Sequence, residues 1–183
     1  MVFNGKNIFK NYPLRIILAS LFILLFICLK TWNSFAPWST HDWNKKEFSR
    51  IKVSDPEDFT FAVFGDNKGN HSVFEPLLRD INQSKEIAFV MDVGDLVRDG
   101  KRGQFQHLLD QVQKNLTIPF VTAIGNHDLN NGSSIYQEIF GPTYYAFQVG
   151  QSYFIVLDAT VESGFGKTEY QWLENELQKA QAL

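Results

Sequence analysis

The sequence contains a single cysteine, Cys28, among 183 residues. A disulfide inside the chain needs two cysteines, so a disulfide framework is excluded and cysteine usage does not identify a redox compartment. Internal repeats and low-complexity segments are also missing, and the apolar fraction of 44% is ordinary for a globular protein. At this length we expect one domain with an additional segment, rather than two full domains.

A glycine-rich phosphate loop is missing as well. Gly166-Lys167-Thr168 resembles the end of a P-loop, but the first glycine of that pattern would fall at Val161. No glycine-rich loop follows the first predicted strand either. An unrelated nucleotide-binding α/β domain is therefore disfavoured.

Positive charge is scarce in most of the chain. After residue 53 there are 9 basic and 18 acidic side chains, out of totals of 17 and 20. An acidic domain is a poor electrostatic partner for a phosphate backbone, so we expect no nucleic-acid binding.

A long uncharged run lies near the N-terminus, at Ile16–Leu29 between Arg15 and Lys30. The run is short for a membrane span of about 20 residues, but Leu14 extends it and the flanking side chains can place their charges outside the hydrocarbon. Trp32 lies where interfacial aromatic residues occur. The pattern predicts a membrane anchor, and a cleaved signal peptide or a buried core helix are the alternatives.

These features divide the chain into four parts. We predict a basic tail at 1–13, a membrane anchor or signal segment at 14–32, a linker at 33–57 and a domain at 58–183. Basic residues before the uncharged run favour an N-terminus that stays on the cytoplasmic side of the membrane. We therefore expect the globular part to be extracytoplasmic, or secreted if the segment is cleaved.

Three apolar runs predict buried strands, at Phe59–Phe64, Ile87–Val93 and Ile118–Ile124. Helical periodicity between them predicts helices that begin near Ser72 and Gly103. Strands that alternate with helices at this spacing form parallel sheets with right-handed crossovers, so the expected core is a βαβαβ unit of the α/β class. Beyond it, the sequence predicts a hairpin at 144–158 and a final helix from Thr168 whose apolar face carries Tyr170, Leu173 and Leu177.

Each predicted strand ends in a glycine followed by an oxygen donor, namely Asp66, Asp95 and Asn126. The carboxyl ends of parallel strands lie at one edge of a sheet, so we expect these side chains to converge. Two carboxylates at one edge repel each other unless a cation lies between them. A carboxylate shared by two divalent metals is the usual device for a bridging hydroxide that attacks phosphorus in line.

His127 follows the third of these donors. An imidazole beside a ligand can protonate a leaving oxygen or bind a phosphoryl oxygen, and either Asp99 or Asp128 could orient its ring. Taken alone, a glycine and a polar residue after a strand form an ordinary turn. Three such ends on successive parallel strands predict a catalytic site.

The motifs Gly65-Asp66, 94–100 and Gly125-Asn126-His127-Asp128 resemble those of the calcineurin-like metallophosphoesterase superfamily, over about residues 59–180. The tract 144–158 is similar to the strands that follow in purple-acid-phosphatase-like members. The resemblance implies that the chain supplies the βαβαβ half of a two-sheet α/β sandwich. The membrane helix predicted from the uncharged run precedes it. It also implies two divalent metal ions and a phosphoester substrate, with manganese, iron or zinc as the metal.

By this resemblance, Asp66 binds one metal ion, Asp95 bridges both ions and Asn126 binds the other. His127 assists the leaving group. Lys68 departs from the pattern, because a second ligand, commonly histidine, is usual there and a protonated ammonium cannot bind a cation. Lys68 could instead contact the phosphate of the substrate. His71 could then replace it as the second ligand.

Two further departures concern the ligand set. Arg98 stands where purple acid phosphatases have a tyrosine ligand, and no histidine follows His127, although the family has two later histidine motifs. We therefore interpret the chain as the N-terminal part of a metal-dependent phosphoester hydrolase, truncated in its domain and of little activity alone. The alternative is a membrane-tethered, non-catalytic module that binds phosphate or a partner.

Overall fold

The computed structural model describes residues 41–160 and 164–182. Helices and strands alternate through most of this part of the chain. The helices are α1 (Trp43–Arg50), α2 (His71–Gln83), α3 (Arg102–Asn115), α4 (Ser134–Phe140) and α5 (Lys167–Gln181). The strands are β1 (Thr60–Phe64), β2 (Ile87–Asp92), β3 (Phe120–Thr122), β4 (Tyr145–Val149) and β5 (Ser152–Val156), and a 3₁₀ turn spans His127–Leu129.

The first three strands form a parallel sheet in the order β1-β2-β3. The predicted βαβαβ unit is therefore confirmed, with strands shorter than the apolar runs that encode them. In the central pairings, Phe64 aligns with Asp92, and Asp92 aligns with Thr122. This register brings the three strand ends level at one edge of the sheet.

Both faces of this sheet are covered. On one face α2 and α3 pack through a core that includes Phe74, Leu78 and Phe105. On the other, β4 and β5 form an antiparallel hairpin whose aromatic residues pack against β2 and β3. The Phe147 and Phe154 rings of this hairpin stack at 5.0 Å. Helices, a three-stranded sheet and a second sheet are thus layered in that order.

Helix α1 lies inside the segment predicted as a linker, and it covers the free edge of β3. The Asn44 side chain accepts a hydrogen bond from Thr122 N (2.9 Å) and donates one to Thr122 O (3.0 Å), as a neighbouring strand would. Glu47 accepts from Phe120 N (3.0 Å), and Trp43 Nε1 donates to Phe120 O (2.8 Å). The linker prediction fails here because hydrogen bonds to a distant strand, not local periodicity, order this segment.

Helix α5 packs differently from the prediction. Tyr170 and Leu177 are 55% and 48% exposed, while Glu169 and Glu176 are buried. Glu176 accepts a hydrogen bond of 2.5 Å from the Tyr153 hydroxyl. The predicted apolar face was wrong, because the helix docks through hydrogen bonds to its acidic side.

The predicted membrane helix, at 14–32, lies outside the described residues. Among the helices that the structure does describe, none is long and apolar enough to cross a membrane.

Candidate metal centre

The oxygen donors predicted from the three strand ends line a single groove. Asp66, Asp95 and Asn126 border a cavity of about 540 Å³, together with Ala159 and Thr160 beyond β5. We call this cavity the strand-end groove. The parallel sheet brings the three donors together across more than fifty residues of sequence, because their strands are hydrogen-bonded neighbours.

The backbone at these strand ends is held in an unusual conformation. Asp66, Lys68 and Asp95 have φ angles of 62°, 45° and 57°, in the left-handed region that side chains other than glycine seldom adopt. Hydrogen bonds from Asp66 N to Gly94 O (2.9 Å) and from Lys68 N to Asp95 O (3.0 Å) maintain it. Strained residues of this kind cluster at functional sites, where the surrounding structure over-determines them.

The Lys68 ammonium lies at the two carboxylates. Its Nζ is 2.7 Å from Asp66 Oδ1 and 3.4 Å from Asp95 Oδ2. The hydrogen bond from Lys68 lowers the pKa of Asp66, and the same bond raises the pKa of Lys68. The two carboxylates thus attract a cation, and one ammonium offsets only one of their two negative charges.

His127 is fixed by two hydrogen bonds from its own atoms. Its backbone N donates to Asp95 Oδ1 (3.0 Å), and its Nδ1 donates to the Arg98 carbonyl oxygen (2.9 Å). Asp99, which was expected to orient the ring, instead accepts from Gln104 Nε2 (3.1 Å). A backbone carbonyl therefore sets the tautomer of this imidazole, and Nε2 is the ring nitrogen that remains for a substrate.

Asp128, the other residue expected to orient the ring, has a structural role. It is fully buried and accepts hydrogen bonds from the backbone N of Leu96 (3.2 Å), Val97 (3.0 Å) and Gly125 (2.9 Å). Burial raises the pKa of Asp128 to about 6, although these three bonds lower it. Asp128 thereby ties the loop after β2 to the loop after β3.

Asp92 is a site residue that the motifs did not reveal. It is fully buried at the end of β2, and burial raises its pKa well above the ordinary value. Its carboxylate accepts from Asn67 Nδ2 (2.6 Å) and Gly94 N (3.3 Å). Asp92 thus holds the loop after β1 through Asn67 and the turn after its own strand through Gly94. The available signal was a carboxylate that closes an otherwise apolar strand.

His71, the predicted substitute ligand, lies elsewhere. It is not among the residues that border the strand-end groove, and its ring contacts His107 of α3. No group of three His, Cys, Asp or Glu side chains within 41–160 and 164–182 is arranged to hold a metal ion. The strand-end groove offers two carboxylates and one amide oxygen, which are ligands that hard and borderline divalent ions accept.

Comparisons with known proteins agree with these motifs. The family model for the calcineurin-like phosphoesterases matches residues 59–181. Acid phosphatase type 7 of Mus musculus and of Homo sapiens are each 27% identical to the chain over 161 residues. These alignments cover 78% of this chain and 36% of each relative. A purple acid phosphatase from yellow lupin (Lupinus luteus) seeds shares the fold, with a TM-score of 0.51 at 19% identity.

The structural match covers 63% of this chain and 27% of the lupin chain. Since the alignments cover 36% of each acid phosphatase, the chain spans about a third of the length of these curated relatives. The family match extends from β1 into the last helix and includes all three strand ends. The resemblance inferred from the motifs is confirmed: the chain belongs to the calcineurin-like phosphoesterase family.

Proposed function

We propose that the strand-end groove is part of a centre that hydrolyses phosphoesters with the help of two divalent metal ions. The observation that carries this proposal is that Asp66, Asp95 and Asn126 border one groove in the order expected of the family. Acid phosphatases among the relatives support the reaction class. Membership of a family that hydrolyses phosphoesters supports it further.

In this proposal Asp66, Asp95 and Asn126 hold the metal ions. When bound, such ions supply Lewis-acid activation of water and of a phosphoryl oxygen. Asp95 is positioned for this role, because the His127 amide donates to its carboxylate and the backbone of Gly125 lies close against it. Manganese, iron and zinc all suit oxygen ligands combined with imidazole.

The protein's own residues would manage the proton. Nδ1 of His127 keeps its hydrogen in the bond to the Arg98 carbonyl. As an imidazolium, His127 can therefore donate from Nε2 to the leaving oxygen of a substrate in the groove. Asp99 stays in the proposal as a residue that positions the 98–101 loop through Gln104, and thereby the carbonyl that holds His127.

Lys68 supports a second candidate, a non-catalytic module that binds phosphate or a partner. Its ammonium offsets one of the two negative charges of Asp66 and Asp95, so the described site is partly neutralised without a metal ion. In the enzymatic proposal, metal binding would displace this ammonium towards the substrate, where Lys68 contacts a phosphoryl oxygen.

Metal binding and hydrolysis, measured on the same samples, decide between the two. The chain is stripped with a chelator, titrated with Mn²⁺ by electron paramagnetic resonance, and assayed with a chromogenic phosphomonoester and a phosphodiester. We expect Asp95→Asn to abolish the bound Mn²⁺ signal and any hydrolysis. Asp110→Asn, an exposed carboxylate on α3, serves as the matched control. Phosphate binding that persists without a metal signal would instead establish the non-catalytic module.

A further inference from the structure

A pair of histidines joins α2 and α3 outside the strand-end groove. His107 Nε2 lies 3.1 Å from His71 Nε2 and 3.2 Å from His71 Nδ1. Each helix adds a polar residue four positions later, Glu75 on α2 and Gln111 on α3. Residues four apart lie on the same face of a helix, so two such pairs face each other.

The amide of Gln111 connects these side chains. Its Nε2 donates to Glu75 Oε1 (3.3 Å) and also contacts His71 Nδ1. Its Oε1 has no hydrogen-bond partner among the described residues, and water does not replace one because Gln111 is only 3% exposed. An orphaned buried acceptor is unfavourable, so the orientation of this amide requires an explanation.

The chemistry of the cluster favours a cation over an anion. Ring nitrogens, the Glu75 carboxylate and the Gln111 carbonyl all offer lone pairs, and an anion would be repelled by the last two. The two imidazoles already meet, in a T-shaped contact with ring centroids 4.3 Å apart and nitrogens 3.1 Å apart. A turn of one ring would let both nitrogens lie about 2.0–2.1 Å from one zinc-sized ion. His71, His107 and Gln111 line a cavity of about 310 Å³, through which such an ion can enter.

We propose that His71, Glu75, His107 and Gln111 form a second site, which binds a divalent transition metal of the zinc class between α2 and α3. The Gln111 amide group now stands between Glu75 and the rings, which is why the described residues hold no ready-made three-ligand cluster. Rotation of that amide by a half-turn brings Oε1 to the ring nitrogens and to Glu75, where an ion would replace the contacts that Nε2 now makes, and it turns Nε2 to the buried position. The ion would then tie the two helices together. This proposal does not rest on the proposed function, because none of the four residues borders the strand-end groove.

Zinc titration of the whole chain tests the site. The 183-residue chain carrying Asp95→Asn, which disables the strand-end groove, is stripped of metal and titrated with Zn²⁺ by calorimetry. We expect a single bound ion. His71→Asn or His107→Asn should weaken it more than about 100-fold, since loss of supporting residues around a metal site alone costs 10–100-fold. His41→Asn, an exposed histidine elsewhere, is the matched control.

Two further readouts do not depend on folding of the histidine variants. In ¹⁵N-histidine spectra of the Asp95→Asn chain, Zn²⁺ should shift the ring signals of His71 and His107 and leave those of His41 unchanged. Gln111→Glu should tighten zinc binding, because a carboxylate replaces the orphaned carbonyl. Zinc affinity equal in the parent and in the His71/His107 variants would overturn the site. So would loss of all zinc binding on Asp95→Asn alone, or stabilisation by inorganic phosphate in place of zinc.

Discussion

Gly125 lies so close to Asp95 that a methyl group at position 125 would overlap the backbone nitrogen and Oδ1 of Asp95. A glycine at the end of the third strand therefore leaves the space that Asp95 occupies at the end of the second strand. The two motifs are complementary parts of one surface, rather than independent turns.

Substitution of Gly125 should accordingly displace Asp95. We expect Gly125→Ala to lower the free energy of unfolding by about 1–3 kcal/mol, as overpacking of a tight contact does. It should also weaken Mn²⁺ binding, because the Asp95 carboxylate moves. Gly103→Ala is the matched control, since Gly103 has no atom within 4 Å of an added Cβ and lies in α3. That helical change should be neutral or stabilising by about 0.5–1 kcal/mol. Equal stability of both variants in denaturant unfolding would contradict the prediction.

The buried carboxylate of Asp128 should give stability a specific pH dependence. Its pKa of about 6 lies above the ordinary value of 3.8, so the native state holds the proton more tightly than the unfolded chain. Its contribution to stability is therefore greatest below pH 4 and falls as the pH rises to about 6. The loss is on the order of 2–3 kcal/mol.

Asp128→Asn should remove that component of the pH dependence. It should also destabilise the protein by about 1–3 kcal/mol, because an amide nitrogen would face backbone donors that now bind a carboxylate. Urea unfolding of the wild type and the variant at several pH values between 4 and 7 measures both effects. Asp110→Asn should keep the wild-type profile. An unchanged profile in Asp128→Asn would mean that the three backbone donors fully offset the burial of this charge.

The edge of β3 depends on a side chain from α1. We expect Asn44→Ala to lower the free energy of unfolding by about 2–3 kcal/mol, because the Thr122 amide loses its acceptor in a buried position. Lys45→Ala changes the exposed neighbour and should stay within about 0.5 kcal/mol of the parent. Guanidinium unfolding of the two variants provides the measurement, and similar midpoints would show that the Asn44–Thr122 hydrogen bonds contribute little to stability.

Removal of the Lys68 ammonium should expose the two carboxylates to a metal ion. We expect Lys68→Ala to tighten Mn²⁺ binding by roughly tenfold, because the cation no longer competes with a charge beside Asp66 and Asp95. The lowered pKa of Asp66 should return towards its ordinary value, which ¹³C-carboxyl titration can follow. Lys101→Ala, which removes an exposed lysine 3.8 Å from Asp99, should do neither. Weaker Mn²⁺ binding in Lys68→Ala would show that the ammonium supports the site.

Much of the fold could be predicted because it depends on short-range patterns. Apolar runs of strand length, separated by helical periodicity, specify parallel strands with little ambiguity. The convergence of Asp66, Asp95 and Asn126 then follows from topology alone. The failures share a cause: α1 was missed, and the buried face of α5 was wrong. Both elements dock through hydrogen bonds to residues distant in sequence, such as Asn44 to Thr122, which leave no periodic trace.

The amino-acid pattern alone predicted the succession of strands and helices along the chain, the edge at which the polar strand ends meet and the family to which they belong. The partners of those polar groups became visible in the three-dimensional structure: Lys68 at the two carboxylates, the Arg98 carbonyl at His127 and backbone amides at Asp128. It also decided that His71 lies against His107. Periodicity encodes which face of an element is apolar, whereas a hydrogen bond or ion pair forms only where folding brings two particular groups within about 3 Å.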